Sequence, residues 1–196
     1  MTAILLDDST GRKMSDAEFE RFCRENPDLR IERNSNLEVS IMSPVSTEFS
    51  YPGSAVTAQL FTWSIADKRG LAFDSSAGFT LPDNSILSPD ASWVSKELWF
   101  SLSTEQRAKF AHVCPEFVIE IRSETDRLKT IKEKVQVWLR NGAKLVWLID
   151  PIEEVTLVTS PGEGEKIITG FDGVVMEGEG PVKGFALDMS LLKIKR

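Results

Sequence analysis

The chain is short of the side chains that most often carry nucleophilic catalysis or hold a transition metal. Its one histidine is His112, and its two cysteines are Cys23 and Cys114. The cysteines lie far apart with no CxxC or Cys/His spacing. That argues against a zinc site and leaves both as small buried hydrophobes. A Ser–His–Asp or Cys–His mechanism would have to use His112, which stands in a loop-like stretch just ahead of Cys114 and Pro115. Long apolar runs are also missing: none approaches the ~18 residues needed to cross a membrane. The opening MTAILLDDSTGRKM has no basic n-region and turns acidic after Leu6, unlike a secretory signal. A cytoplasmic protein with no membrane association is the expectation. Positive charge is in deficit, with 23 Lys and Arg against 30 Asp and Glu and a net charge of −7. This argues against a broad nucleic-acid-binding surface. Cations do gather at Arg122, Arg127, Lys129, Lys132, Lys134, Arg140 and Lys144. They read either as a local basic groove or as the solvated face of a helix.

What is present suffices for one domain of 196 residues, 41% of them hydrophobic, with a core expected over about 30–192. Ser15 and Glu18 form a capping-box pattern for a helix over 15–26, with Phe19, Phe22 and Cys23 as its apolar stripe. LRIER (29–33) and LEVSIM (37–42) flank Asn34-Ser35-Asn36 as a hairpin, in which asparagine tolerates positive φ. A second helix is expected over 53–69, with Val56, Leu60, Trp63 and Ile65 or Ala66 inward and Gly70 as its stop. Short strands follow over 71–76, 78–82, 85–90 and 91–95, then a short helix from Ser103 to Phe110. FVIEI (117–121) and KLVWLID (144–150) read as buried strands. The helix between them, over 126–141, suits a parallel crossover. EEVTLVTS, EKIIT and GVVME suggest a C-terminal β-meander. Of the five tryptophans, Trp93, Trp138 and Trp147 sit in core-like patterns. Trp99 is expected to be exposed, with Phe100 beside it as a candidate dimer contact.

The chemistry lies in the carboxylates. One at the centre of an apolar strand is costly unless paired, protonated or bound to a metal. Glu120 is such a residue, in FVIEIR. Alternation puts Val118, Glu120 and Arg122 on one face and Phe117, Ile119 and Ile121 on the other. A carboxylate followed by a cation on the same face suits metal-assisted phosphate chemistry. An ion pair between Glu120 and Arg122 is the plainer alternative. Arg122 does not deprotonate and cannot be a general base. Pro89-Asp90 supplies a second carboxylate where a loop enters a strand. Two carboxylates on adjacent strands make a hard oxygen site suited to Mg²⁺ or Mn²⁺. A lysine is still needed. The next helix has an apolar stripe of Leu128, Ile131, Val135, Trp138 and Leu139, and Lys132 and Lys134 flank it on opposite sides. Periodicity does not choose between them, and Gln136 lies further toward solvent.

The stretches LEVSIMSP, FDSSAGFTLPDNSILSPDASWVSKELW, CPEFVIEIRSETDRLKTIKEKVQVWLRNGAKLVWLIDP and GFALDMSLL, in that order, resemble a bacterial family of restriction-endonuclease-like proteins within the PD-(D/E)XK nuclease superfamily. The resemblance implies an α/β (α+β) fold, a mixed β-sheet flanked by helices with an N-terminal hairpin and a C-terminal β-meander. It implies metal, Mg²⁺ or Mn²⁺, at Asp90 and Glu120. It nominates Lys134, in the string EKVQVW, as the superfamily lysine, with Gln136 a lesser candidate and Glu38 a further carboxylate. Two departures stand out. Asn34-Ser35-Asn36 replaces the usual hairpin glycine, and Ser123-Glu124-Thr125-Asp126 stands where the family often has Ser-Pro-Ser-Asp. The function implied is a Mg²⁺-dependent endonuclease, a hydrolase cutting DNA, working as a homodimer. The alternative is a non-catalytic nuclease-fold module that binds nucleic acid or regulates. A metal-independent hydrolase using Asp90 or Glu120 as acid and base has less support.

Overall fold

The computed structural model describes residues 13–194. Of the opening segment read above for a signal, residues 1–12 lie outside the described residues. Two sheets carry the fold. The larger is mixed, in the order β10-β9-β8-β7-β6-β3. Its strands are β3 (Gly70–Asp74), β6 (Ala91–Ser95), β7 (Phe117–Ile121), β8 (Leu145–Asp150), β9 (Val155–Thr159) and β10 (Lys166–Thr169). The β7–β8 pair is parallel, with Glu120 opposite Leu148. The crossover between them is α5 (Leu128–Arg140), as the apolar strand–helix–strand pattern requires. The smaller sheet has the order β2-β1-β5-β4. It is built from β1 (Arg30–Arg33), β2 (Val39–Met42), β4 (Phe79–Thr80) and β5 (Ile86–Leu87).

Alternation along β7 divides the interior. Phe117 and Ile119 join Val56 and Leu60 of α2 (Thr47–Asp67), Trp147 and Phe185 on one side of the large sheet. Val118 joins Ile131, Val135 and Trp138 of α5 on the other. The small sheet has its own apolar layer with α1 (Asp16–Glu25): Phe19, Phe22, Ile31, Val39 and Ile86. Trp93, Trp138 and Trp147 are buried. Among the described residues no helix is long and apolar enough to cross a membrane.

Several local expectations change. The helix α2 starts six residues before the expected Gly53, with Pro52 inside it, and it turns Ile65 and Ala66 outward while burying Ser64. It ends at Lys68, which takes the left-handed conformation (φ 64°). Gly70 is therefore not the stop but the first residue of β3. Its role is to clear space, since a Cβ there would fall 2.1 Å from the indole of Trp93. Gly70→Ala is expected to cost about 1–3 kcal/mol through overpacking, read as a lower urea midpoint. In the first hairpin the positive φ falls on Leu37 (68°). Asn34 instead uses its carboxamide oxygen to accept the N–H of Asn36 at 2.9 Å and of Glu38 at 3.0 Å. The helix after Ser103 is one turn, α4 (Thr104–Arg107), and KELWFS forms an unforeseen helix, α3 (Lys96–Ser101). Trp99 is half-buried with its ring 5.1 Å from Phe73, so Phe100 and not Trp99 faces solvent. In the tail, β9 and β10 extend the large sheet in sequence order, while β11 (Val175–Glu177) pairs with β12 (Ala186–Asp188).

Glu116 ties the sheet edge together just before β7. Its carboxylate accepts the Ser95 N–H at 2.8 Å and the Lys144 ammonium at 2.6 Å. Burial would raise its pKa, but these bonds outweigh burial and hold it below the usual value. A lowered folded pKa stabilises above the unfolded pKa and is lost as pH falls through the folded one. Glu116→Gln is expected to cost about 1–2 kcal/mol at pH 7, the Lys144 share being screened by water, and close to nothing once the pH is below that folded value. Urea melts across pH 3 to pH 7 would show the difference closing toward acid.

Candidate active site

Four segments that are distant in sequence bring charged side chains to one cleft of roughly 500 Å³. Asp90 stands just before β6, and its N–H bonds to the Ile119 carbonyl at 3.1 Å. Its Oδ2 accepts the Ile121 N–H at 2.8 Å, so the carboxylate is pinned against the end of β7. Its Oδ1 accepts both terminal nitrogens of Arg30 at 3.2 Å. Glu120, buried on β7, points toward α5. Its Oε1 accepts the Trp138 indole N–H at 2.6 Å and lies 3.0 Å from Lys134 Nζ.

Lys134 is the hub. Its ammonium also bonds Glu32 Oε1 at 2.9 Å and the Ser88 carbonyl at 3.0 Å. One turn of α5 therefore delivers Trp138 and Lys134 together, at i and i−4 on the face that meets Glu120. Burial pushes Glu120 up to about 7, Lys134 pulls against it, and the nearby Asp90 and Glu32 add to the rise. Burial alone would lower Lys134, but Glu120, Glu32 and Asp90 outweigh it, and its pKa moves upward. The upward direction favours the ammonium form at neutral pH.

The remaining candidates separate. Arg122 does not pair with Glu120. Alternation stops at Ile121, and the Arg122 guanidinium bonds Asp150 Oδ2 at 2.7 Å. Lys132 bonds Glu165 at 3.2 Å, and Gln136 is exposed on the outer side of α5. Glu38 is not brought to the cleft. It lies in the hairpin turn and accepts the Asn34 carboxamide at 2.7 Å. The third acidic side chain is Glu32, which the sequence reading missed. It is buried in β1 and also accepts the Ser88 N–H at 2.9 Å. The local signal was slight, since Glu32 has the cation Arg33 beside it in RIER and does not interrupt an apolar run as Glu120 does. Arg30, also missed, shares the Ser88 carbonyl at 3.0 Å. His112 is exposed. Much of the basic run is neutralised: Arg122, Lys129, Lys132, Lys134 and Lys144 all sit in ion pairs.

The donor chemistry decides which ion would fit. Among the described residues no three of His, Cys, Asp and Glu form a ready-made ligand cluster. Asp90 and Glu120 offer carboxylate oxygens alone, and Mg²⁺ commonly takes one or two carboxylates while keeping several waters. The pair fits a hydrated Mg²⁺ or Mn²⁺ and lacks the nitrogen or sulfur donors that zinc prefers.

A mixed sheet flanked by helices, with acidic residues and a lysine gathered where its central strands end, defines a nuclease-type fold. The chain belongs to the Uma2 family, described as "Putative restriction endonuclease", whose sequence profile matches residues 16–190. The fold is similar to a crystal structure of "a putative nuclease belonging to DUF820 from Anabaena variabilis ATCC 29413". The TM-score is 0.68 at 18% identity, over 83% of this chain and 88% of that one. A cryo-EM structure of a DrdV–DNA complex gives a TM-score of 0.39 at 12% identity, over 59% of this chain and 9% of that one, too slight a likeness to carry an argument. No curated protein matches the chain.

Proposed function

We propose that the chain is a Mg²⁺- or Mn²⁺-dependent endonuclease that hydrolyses phosphodiester bonds of DNA. The observation that carries this reading is the meeting of Asp90, Glu120 and Lys134 in one cleft, from three separate elements. Asp90 and Glu120 would hold the ion. When bound, it would supply Lewis-acid stabilisation of charge on the phosphate. Lys134 presents a permanent cation to the oxygens of the reacting centre, where it holds the attacking water and offsets charge as the ester bond breaks. Glu32 and the Ser88 carbonyl fix the lysine so that little reorganisation is left to the reaction. Arg30 balances Asp90 and is the group that must yield Oδ1 before the carboxylate turns fully to an ion. The working unit in this reading is a homodimer in the cytoplasm, with one cleft for each strand of a duplex.

The test is nicking of supercoiled plasmid by the purified chain with Mg²⁺ or Mn²⁺. Cleavage is expected with the ion and not with chelator, and is expected to vanish in Asp90→Ala and Glu120→Ala. Cleavage that survives both substitutions would reject the assignment. A second reading, a non-catalytic nuclease-fold module, is favoured by the Arg30 guanidinium, which already neutralises Asp90. Titration calorimetry separates the two. The enzyme reading expects Mn²⁺ to bind and to displace this contact, whereas the module expects no binding at millimolar ion.

A further inference from the structure

The helix α2 is 21 residues long and carries no charged residue from Phe49 to Ala66. A helix that is apolar or neutral all round is normally covered all round. Here one side packs on the large sheet through Val56 and Leu60. The opposite side is open, with Tyr51 54%, Phe61 52% and Ile65 61% exposed. The open residues Thr47, Tyr51, Ser54, Ala58, Phe61 and Ile65 follow one another in steps of four, three, four, three and four. That is the spacing of a helix–helix seam.

The seam is self-complementary when read backwards. If two copies lie antiparallel with Ala58 on the two-fold axis, Tyr51 meets Ile65 and small Ser54 meets the region of large Phe61. Ala58 meets Ala58, which allows close approach. The charges at the ends follow the same symmetry. Glu48 stands as far before Ala58 as Lys68 stands after it, both are exposed, and neither is in an ion pair among the described residues. In a chain of net charge −7, a stretch such as residues 49–66 that carries no charge lets two copies approach without like-charge repulsion.

We propose that a second copy of this chain docks antiparallel on α2, with Ala58 on the axis and Glu48 of each copy beside Lys68 of the other. This deepens the homodimer in the proposed function and does not depend on its chemistry. Ser54, Ala58 and Phe61 also line the groove that runs to Asp90 and Arg122, so the second helix would cover that groove on its α2 side.

Sedimentation equilibrium of the full chain over about 1–100 µM is expected to show a dimer. Ala58→Glu sets two carboxylates on the axis and is expected to weaken association at least roughly 100-fold, with the circular dichroism spectrum unchanged. Glu48→Lys and Lys68→Glu each replace two attractive pairs by two repulsive ones and are expected to weaken it about tenfold. The double swap is expected to restore it. A wild-type chain that stays monomeric, a dimer indifferent to Ala58→Glu, or single swaps with no effect and no rescue would each overturn the proposal. Plasmid nicking by a monomer would overturn the dimer while leaving the nuclease reading intact.

Discussion

Lys134→Met is expected to lower cleavage by about 10²–10³-fold while leaving Mn²⁺ affinity unchanged or tighter. The two readouts part because the ammonium plays two electrostatic roles. Toward the substrate it is a preorganised cation, and its loss removes stabilisation that water cannot replace in a closed cleft. Toward the ion it is a competitor, since it sits 3.0 Å from Glu120. Its removal leaves Glu32, Glu120 and Asp90 facing one another with only Arg30 for compensation, which favours an incoming divalent cation. Without the ion and without the opposing lysine, burial and the other two carboxylates push Glu120 higher still. A raised folded carboxyl pKa makes stability fall as pH rises from the unfolded pKa toward the folded one. In Lys134→Met that decline should reach to higher pH than in the wild type, and Mn²⁺ should reverse it. Single-turnover cleavage, calorimetry and urea melts at pH 5 to pH 9 measure the three effects. Equal loss of cleavage and ion binding would mean that Lys134 only holds the site together.

Arg33→Ala is expected to cost about 3–5 kcal/mol of stability, with a fall in urea midpoint and no dependence on metal. Arg33 is fully buried in β1. Its guanidinium bonds the Met14 carbonyl at 3.0 Å, Asp16 Oδ1 at 2.5 Å and the Asn84 carbonyl at 3.1 Å, and it lies 5.3 Å from the Phe19 ring centroid. One side chain thus joins α1, the small sheet and the 81–85 turn. Truncation strands the Met14 and Asn84 carbonyls, and leaves a void against Phe19. Arg33→Lys should recover only part, because an ammonium cannot reproduce the planar fork that reaches three acceptors.

What could be read in advance follows from where each signal resides. The strand–helix–strand unit around Glu120 was legible because a run such as FVIEI has no comfortable place except a buried strand. The choice of Lys134 over Lys132 was not legible in periodicity, since both flank the apolar stripe. It came from the family resemblance, and the geometry agrees in placing Lys134 against Glu120. The helix α2 starts ahead of the expected Gly53 and tolerates Pro52, which at the sixth position of the helix removes a single hydrogen bond. Glu32 was missed because a four-residue strand gives little alternation to read. Its burial depends on Lys134, 102 positions away, and long-range pairing of this kind leaves no local trace.

The cleft contacts also have a mechanical side. Backbone pairing joins the β1–β2 hairpin to β5, and so to the other half of the small sheet, through a single partner pair, Arg33 and Ile86. The bonds from Arg30 to Asp90, from Ser88 to Glu32 and from Lys134 to Glu32 therefore fasten the hairpin to the segment between β5 and β6 and to α5. A well-fastened hairpin would by itself call for these residues, with or without cleavage. The same side chains thus hold the hairpin and line the cleft: the Asp90 carboxylate is shared between the hairpin and the end of β7, and the Lys134 ammonium between Glu32 and Glu120.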